Sequence, residues 1–107
     1  MADNGGINRS FEAWKLSSKD AKKFNERNKV LPGLSDFTAE QLFYISFSQA
    51  FCEKLTPEVR EIRNENDPHS PGKYRVIGTL SNNEHFAKTF NCPKKSPMNP
   101  EKKCLIW

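Results

Sequence analysis

The chain has 107 residues and a formal net charge of +4, from 17 basic and 13 acidic side chains. Its length suits one domain, and a charged fraction of 28% is ordinary for a globular protein, which excludes wholesale disorder. Basic and acidic residues are intermixed, which disfavours a nucleic-acid-binding protein, and no segment approaches the roughly 18 apolar residues of a membrane span.

The cysteines and the start of the chain bear on the cellular compartment. The first six residues have neither a basic start nor an apolar segment, so they predict no signal peptide. Three cysteines, Cys52, Cys92 and Cys104, leave at least one thiol unpaired within the chain. In a cytosolic protein all three could stay reduced, whereas in a secreted protein the odd number implies a partner elsewhere.

The first half of the sequence predicts two helices separated by a turn. Asn4-Gly5-Gly6 predicts the end of a preceding helix. Apolar residues recur from about residue 7 to 25 as the stripe of an amphipathic helix. Leu31-Pro32-Gly33-Leu34 predicts a turn, because proline and glycine together stop a helix.

The second helix is predicted to begin at a capping box. Thr38 is the cap and Gln41, three residues later, completes the pattern. The following residues 42–52 are apolar on nearly every face, so we expect this helix to be buried on most sides. Few other elements in the chain could cover it.

The second half alternates short helices with loops. Thr56-Pro57-Glu58 predicts the start of a helix, and residues 68–72 predict a loop held by two prolines. Tyr74-Arg75-Val76-Ile77 predicts an extended segment ended by a glycine. Ser81-Asn82-Asn83-Glu84 predicts a capping box for a last helix that carries Phe86 and Phe90.

The chain ends on Cys104-Leu105-Ile106-Trp107, a thiol followed by apolar residues. Chain ends are normally polar and mobile unless something holds them, so this terminus is expected to dock into a larger body. Together with the early helix-stop signal and the apolar second helix, it predicts that part of the fold lies outside these residues.

Two residues stand out as candidates for chemistry. His69 lies in the proline-held loop, and Arg75 follows six residues later. A histidine and an arginine that converge on one point suit a developing oxyanion and a carbonyl or carboxylate. The alternative is a surface histidine and an arginine in a salt bridge. His85 is predicted to be a surface residue.

Five blocks along the chain resemble the C-terminal end of the neprilysin and endothelin-converting-enzyme family of zinc metallopeptidases. They occur in the family's order and span nearly the whole chain. The blocks are Ala2-Asp3-Asn4-Gly5-Gly6, Leu31-Pro32-Gly33-Leu34, Gln41-Leu42-Phe43 with Phe47 to Cys52, His69-Ser70-Pro71-Gly72 with Arg75, and Cys104-Leu105-Ile106-Trp107.

The resemblance implies specific roles for three residues. Asp3 matches the aspartate that supports a zinc-bound histidine. His69 matches the histidine that donates to the tetrahedral oxyanion, and Arg75 matches the arginine that grips the substrate backbone. The family's zinc ligands and its general-base glutamate would lie upstream of Met1. The resemblance therefore implies zinc and peptide substrates for an intact parent enzyme, but neither tight zinc binding nor activity for this chain.

The resemblance also implies a fold and a compartment. We expect a mainly α structure, with residues 1–107 as the C-terminal part of a thermolysin-like catalytic domain that is incomplete on its own. Cys52, Cys92 and Cys104 are expected to pair with cysteines outside the chain, on the extracellular or lumenal side of a membrane.

Two further hypotheses stay open. One is a stand-alone, non-catalytic binding or decoy protein derived from a peptidase C-terminus. The other is a small basic interaction module, which would bind polyanions in a salt-sensitive way.

Overall fold

The described part of the chain is mainly helical, as the sequence predicts. The computed structural model describes residues 2–17 and 32–104. Within these ranges there are five helices and no strand, and Ser96 and Asn99 form an isolated bridge. The helices are α1 (Ala2–Ser17), α2 (Ala39–Gln49), α3 (Pro57–Asn66), α4 (Gly72–Asn82) and α5 (Glu84–Thr89). None of them is both long and apolar enough to cross a bilayer.

Local sequence signals correctly predict the starts of α2 and α3. The Thr38 side chain accepts from the Gln41 backbone N–H, and the Gln41 side chain accepts from the Thr38 N–H, so the capping box is confirmed. Thr56 caps α3 directly before Pro57. Gly33 lies in the predicted turn with a φ of 81°, in the left-handed region that favours glycine.

The predicted helix stop at Asn4-Gly5-Gly6 is wrong, because α1 runs through both glycines without interruption. Ile7 and Phe11 lie one turn apart on its inward face and are both buried. Burial of this face outweighs the roughly 1 kcal/mol that a glycine costs inside a helix. The predicted continuation to residue 25 lies outside the described residues beyond Ser17.

The predicted extended segment at residues 74–77 is also wrong, because these residues belong to α4. Tyrosine, valine and isoleucine favour strands locally, but Val76, Thr79 and Leu80 form a helical face against the core. The predicted cap at Ser81 is wrong as well, since α4 continues through it. Asn83 caps α5 instead, accepting from the Phe86 backbone N–H at 2.7 Å.

The core forms where α1, α2, α4 and α5 meet. Its buried residues are Ile7, Phe11, Tyr44, Leu80 and Phe86. On α2 only Tyr44 is fully buried, while Phe43 and Phe47 pack against the core in part. The expectation that α2 is buried on most sides is therefore not met by the described residues.

A cluster of hydrogen-bonded polar side chains at this core joins three helices. The Tyr44 hydroxyl lies 3.3 Å from Asn83 Oδ1 and 3.1 Å from His85 Nδ1. Asn83 also donates to Asn8 Oδ1 at 2.8 Å. The His85 ring packs on Phe11 in a tilted arrangement with centroids 4.1 Å apart, yet its side chain is 39% exposed, so the predicted surface residue is half-buried. Burial raises the pKa of Tyr44 to about 12, with a smaller contribution from the charge of Glu40.

The end of the described chain is held against α4. Lys103 Nζ donates to the Ser81 carbonyl at 2.9 Å, and the Cys104 N–H donates to Asn82 Oδ1 at 3.0 Å. Residues 105–107, on which that expectation mainly rests, lie outside the described residues.

Tyr44→Phe is expected to lower the free energy of unfolding by about 1 kcal/mol, because it removes a buried hydroxyl from two polar partners. Urea unfolding of the chain measures the change. Tyr74→Phe is the matched control, since the Tyr74 residue is 63% exposed and should alter stability by less than about 0.5 kcal/mol. Equal effects of the two substitutions would contradict a stabilising role for the buried hydroxyl.

Candidate functional site

Asp3 and Arg75 form a two-point ion pair that joins α1 to α4. Arg75 Nε donates to Asp3 Oδ2 at 2.8 Å, and Nη2 donates to Oδ1 at 2.6 Å. The residues are 72 positions apart, and they meet because α1 packs against α4. This parallel geometry is the strongest that arginine and a carboxylate adopt, and it fixes the plane of the guanidinium.

The pair shifts both ionisation equilibria toward the charged forms. Hydrogen bonding and charge from Arg75 lower the pKa of Asp3 below its ordinary value, against the opposing effect of burial. The same hydrogen bonds raise the pKa of Arg75. Asp3 is therefore ionised at neutral pH with both oxygens engaged. Each oxygen keeps a second lone pair, so Asp3 can accept one further donor.

An aromatic ring supports the guanidinium from another side. The Arg75 Cζ atom lies 4.6 Å from the centroid of the Phe51 ring, a cation–π contact. The Arg75 side chain is 29% exposed. Two of its five N–H donors serve Asp3, which leaves three directed elsewhere. Arg75 is thus a partly exposed and rigidly held donor, suited to a carbonyl or carboxylate of a bound molecule.

His69 is paired with Asp67 in the loop before α4. Asp67 Oδ1 accepts from the His69 backbone N–H at 2.9 Å and lies 2.9 Å from His69 Nδ1. These two contacts lower the pKa of Asp67, the backbone bond first. Because an ionised carboxylate only accepts, Nδ1 must carry a proton. The His69 side chain is 66% exposed.

This pairing decides what His69 can do chemically. With Nδ1 protonated, Nε2 of the neutral ring is an acceptor and can take a proton. Nε2 can donate to an oxyanion only when the ring is an imidazolium. The Asp67–His69 pair therefore suits proton transfer or the stabilisation of negative charge at a solvent-facing position.

The two predicted residues are each paired with an acid rather than with one another. They nevertheless share an electrostatic environment, since the charge of His69 contributes to the lowered pKa of Asp3 and that of Asp67 to the raised pKa of Arg75. Sequence reasoning missed Asp67. The signal was present in Asp67-Pro68-His69, since an aspartate often accepts from the backbone two residues later. The direct Asp3–Arg75 pair had no local signal.

The described residues do not fit a complete metal site. In these ranges no three histidine, cysteine or acidic side chains are grouped to hold an ion. Both oxygens of Asp3 are already bonded to Arg75, which suits an outer supporting role better than direct ligation.

Comparison with known proteins establishes the family. The sequence profile of peptidase family M13 matches residues 1–106. This chain belongs to peptidase family M13. It is 43% identical over all 107 residues to neprilysin of Homo sapiens and 42% identical over the same length to endothelin-converting enzyme 1 of Rattus norvegicus. Neprilysin-1 of Caenorhabditis elegans is 41% identical over 107 residues. The resemblance drawn from the five blocks is therefore confirmed.

The chain spans only a small part of these M13 relatives. Its whole length corresponds to 14% of the human and nematode proteins and 13% of the rat protein. Within the described residues its three cysteines are free thiols, with Cys52 and Cys104 exposed and Cys92 partly buried. The predicted pairing with cysteines outside the chain stays a prediction.

The Asp3–Arg75 pair makes the free energy of unfolding depend on pH in the acidic range. Because the folded pKa of Asp3 lies below its ordinary value of 3.8, its contribution is complete above the unfolded pKa and is lost as the pH falls through the folded one. Asp3→Asn is expected to destabilise the chain at pH 7, with a penalty that shrinks as the pH falls below about 4. Urea unfolding of both proteins at pH 7, 4 and 3 measures this. A penalty independent of pH would refute the ionic origin.

Proposed function

We propose that residues 1–107 are the C-terminal part of the catalytic domain of a zinc-dependent metalloendopeptidase that hydrolyses peptides. Membership of family M13 supports the class of reaction. The observation that carries the assignment is that two acid–base pairs lie close together in the sequence of one loop and helix start. Asp67 pairs with His69 in the loop before α4, and Asp3 pairs with Arg75 in the first turns of α4. Intact peptidases of this kind combine an oxyanion donor with a group that orients the peptide.

His69 is proposed to donate from Nε2 to the oxyanion of the tetrahedral intermediate. Asp67 holds Nδ1, which orients the ring for this donation. The exposure of the His69 side chain suits a group that must reach a substrate. Asp67 is thereby proposed as a positioning residue for His69.

Arg75 is proposed to bind backbone carbonyl groups of the peptide substrate. Asp3 and Phe51 fix the guanidinium, so little side-chain freedom is lost on binding. Asp3 is proposed to act in a second way, by accepting a hydrogen bond from a zinc-bound histidine with its remaining lone pairs. One carboxylate would then link substrate binding to the metal centre.

The zinc ligands are proposed to lie outside the described residues, in the part of the parent enzyme upstream of this chain. Bound zinc in such an enzyme polarises the scissile carbonyl and lowers the pKa of a water molecule. The residues of this chain support that centre and the bound peptide rather than holding the ion.

The purified 107-residue chain is expected not to bind zinc tightly, since one supporting aspartate and one histidine do not make a three-ligand site. Isothermal titration with zinc chloride measures this, with Asp3→Asn and His69→Ala variants as controls for weak surface binding. Tight binding at one ion per chain would contradict the proposal.

In the intact enzyme, His69→Ala is expected to lower kcat by about 10²- to 10³-fold with little change in KM, because its contact forms only in the transition state. Arg75→Ala should mainly raise KM and weaken peptide inhibitors. Steady-state hydrolysis of a fluorogenic peptide separates the two effects. Lys73→Ala, an exposed residue of the same helix, is the matched control. Wild-type kinetics for both site variants would overturn the residue assignment.

The cysteines and the compartment follow from the same proposal. Cys52, Cys92 and Cys104 are proposed to form disulfides with upstream cysteines of the parent, which requires an oxidising, extracellular or lumenal location. Each bridge would stabilise the parent by about 2–4 kcal/mol.

A stand-alone binding protein is the second candidate, and one observation favours it. Four of the five described helices contribute buried residues to a common core. Blotting source tissue with an antibody to the C-terminal peptide discriminates the two. A band several times larger than 12.3 kDa supports the peptidase, and a single band near 12.3 kDa supports the binding protein.

A further inference from the structure

The start of α4 lacks a local cap, although it directly follows the loop of His69. The residue before the helix is Pro71, whose side chain makes no capping hydrogen bond. The first N–H groups of a helix need acceptors, and proline offers none through its side chain. His69 lies three residues before α4, and Arg75 lies in its first turns. A hydrogen-bond acceptor that fixes the start of α4 therefore affects the positions of both side chains.

Glu53 supplies that acceptor from 19 residues upstream. Its Oε1 accepts from the Gly72 backbone N–H at 3.0 Å, and its Oε2 accepts from Arg63 Nη1 at 2.7 Å. A carboxylate at a helix N-terminus is favoured by the helix dipole as well as by the hydrogen bond. One side chain, 31% exposed, thus joins the last turns of α3 to the first residue of α4, on either side of the 67–71 loop.

Gly72 permits this approach because it has no side chain. A Cβ atom at this position would lie 2.5 Å from the Phe51 carbonyl oxygen and 3.2 Å from Glu53 Oε1. The helix start is therefore in close contact with the backbone of the segment 51–53. The same segment holds Arg75, through the ring of Phe51. It contacts the site at two points, one at the start of α4 and one at the guanidinium.

We propose that Glu53 is a positioning residue for the peptidase reaction, acting through Gly72 to fix the start of α4 and with it His69 and Arg75. The inference rests on the proposed function of those two residues. Glu53 does not contact substrate in this mechanism. Its loss releases the end of the 67–71 loop, so that the oxyanion donor and the substrate-binding group both lose their alignment.

The test uses the intact parent enzyme with Glu53→Ala and Glu53→Gln. Glu53→Ala is expected to lower kcat/KM about tenfold, through both a lower kcat and a higher KM, because it removes one charge-assisted hydrogen bond and misplaces two groups. Glu53→Gln keeps an amide oxygen for the Gly72 N–H and should stay within about threefold of wild type. Rates are expressed per bound zinc, so that loss of folded enzyme does not count as loss of catalysis.

Arg63→Ala is the control for the other hydrogen bond of Glu53, the exposed ion pair with Arg63. The Arg63 side chain is 50% exposed, and an ion pair in that position contributes little, so kcat and KM should stay within about twofold of wild type. Equal losses in Glu53→Ala and Glu53→Gln, or in Arg63→Ala, would overturn anchoring through Gly72. So would a Glu53→Ala enzyme with a lower melting temperature but wild-type kcat and KM per zinc.

A glycine pair on the same helix gives an independent test. Gly72→Ala forces the helix start away from Phe51 and is expected to lower kcat/KM by about 10- to 100-fold. Gly78→Ala meets no atom within 4 Å and should leave both constants unchanged. Equal kinetics for the two variants would overturn the proposal.

The proposed function fails in a different way from this inference. If His69→Ala and Arg75→Ala also retain wild-type kinetics, or if the parent binds no zinc, the peptidase assignment of the site is wrong. If those two variants lose activity while Glu53→Ala and Gly72→Ala do not, only the positioning role of Glu53 is wrong.

Discussion

The ion pair between Asp3 and Arg75 is the contact on which the candidate site depends. It joins the first turn of α1 to the first turns of α4, and it orients the guanidinium together with the ring of Phe51. Because both carboxylate oxygens are engaged, Asp3 stays ionised at neutral pH and serves as a fixed negative charge. The two hydrogen bonds, rather than burial, hold the long Arg75 side chain in one orientation as a donor, since the pair remains partly exposed.

Around this pair the chain repeats one arrangement, a carboxylate that holds a functional or structural group in place. Asp67 holds the His69 ring, and Glu53 holds the start of the helix that carries Arg75. Asp3 lies in the first turn of α1, Asp67 at the end of α3, and Glu53 in the segment between α2 and α3. The site therefore consists of two potential reactive groups and the acids that orient them. Its metal centre is proposed to come from elsewhere in an M13 peptidase.

The accuracy of sequence reasoning along the chain follows the range of the interactions involved. The caps at Thr38 and Thr56 were predictable because each bond spans three residues. The helical state of Gly5 and of residues 74–77 was not, since local propensity pointed the other way and packing on Phe11 and Leu80 decided it. The packing of His85 on Phe11 had no local signal for the same reason, because the two residues lie 74 positions apart (85 − 11).

The identity of the family and the residue types of the site, His69 and Arg75 in particular, can be read from the linear order of blocks. Such blocks keep their spacing however the chain folds. Which acid meets which base cannot be read in that way. Asp3 reaches Arg75 across 72 positions, and Glu53 reaches Gly72 across 19, because helices pack at particular angles and bring particular faces together. The packed core decides these pairings, because it fixes the relative positions of the helices and so brings the partners of each ion pair within reach. Its buried residues are Ile7, Phe11, Tyr44, Leu80 and Phe86.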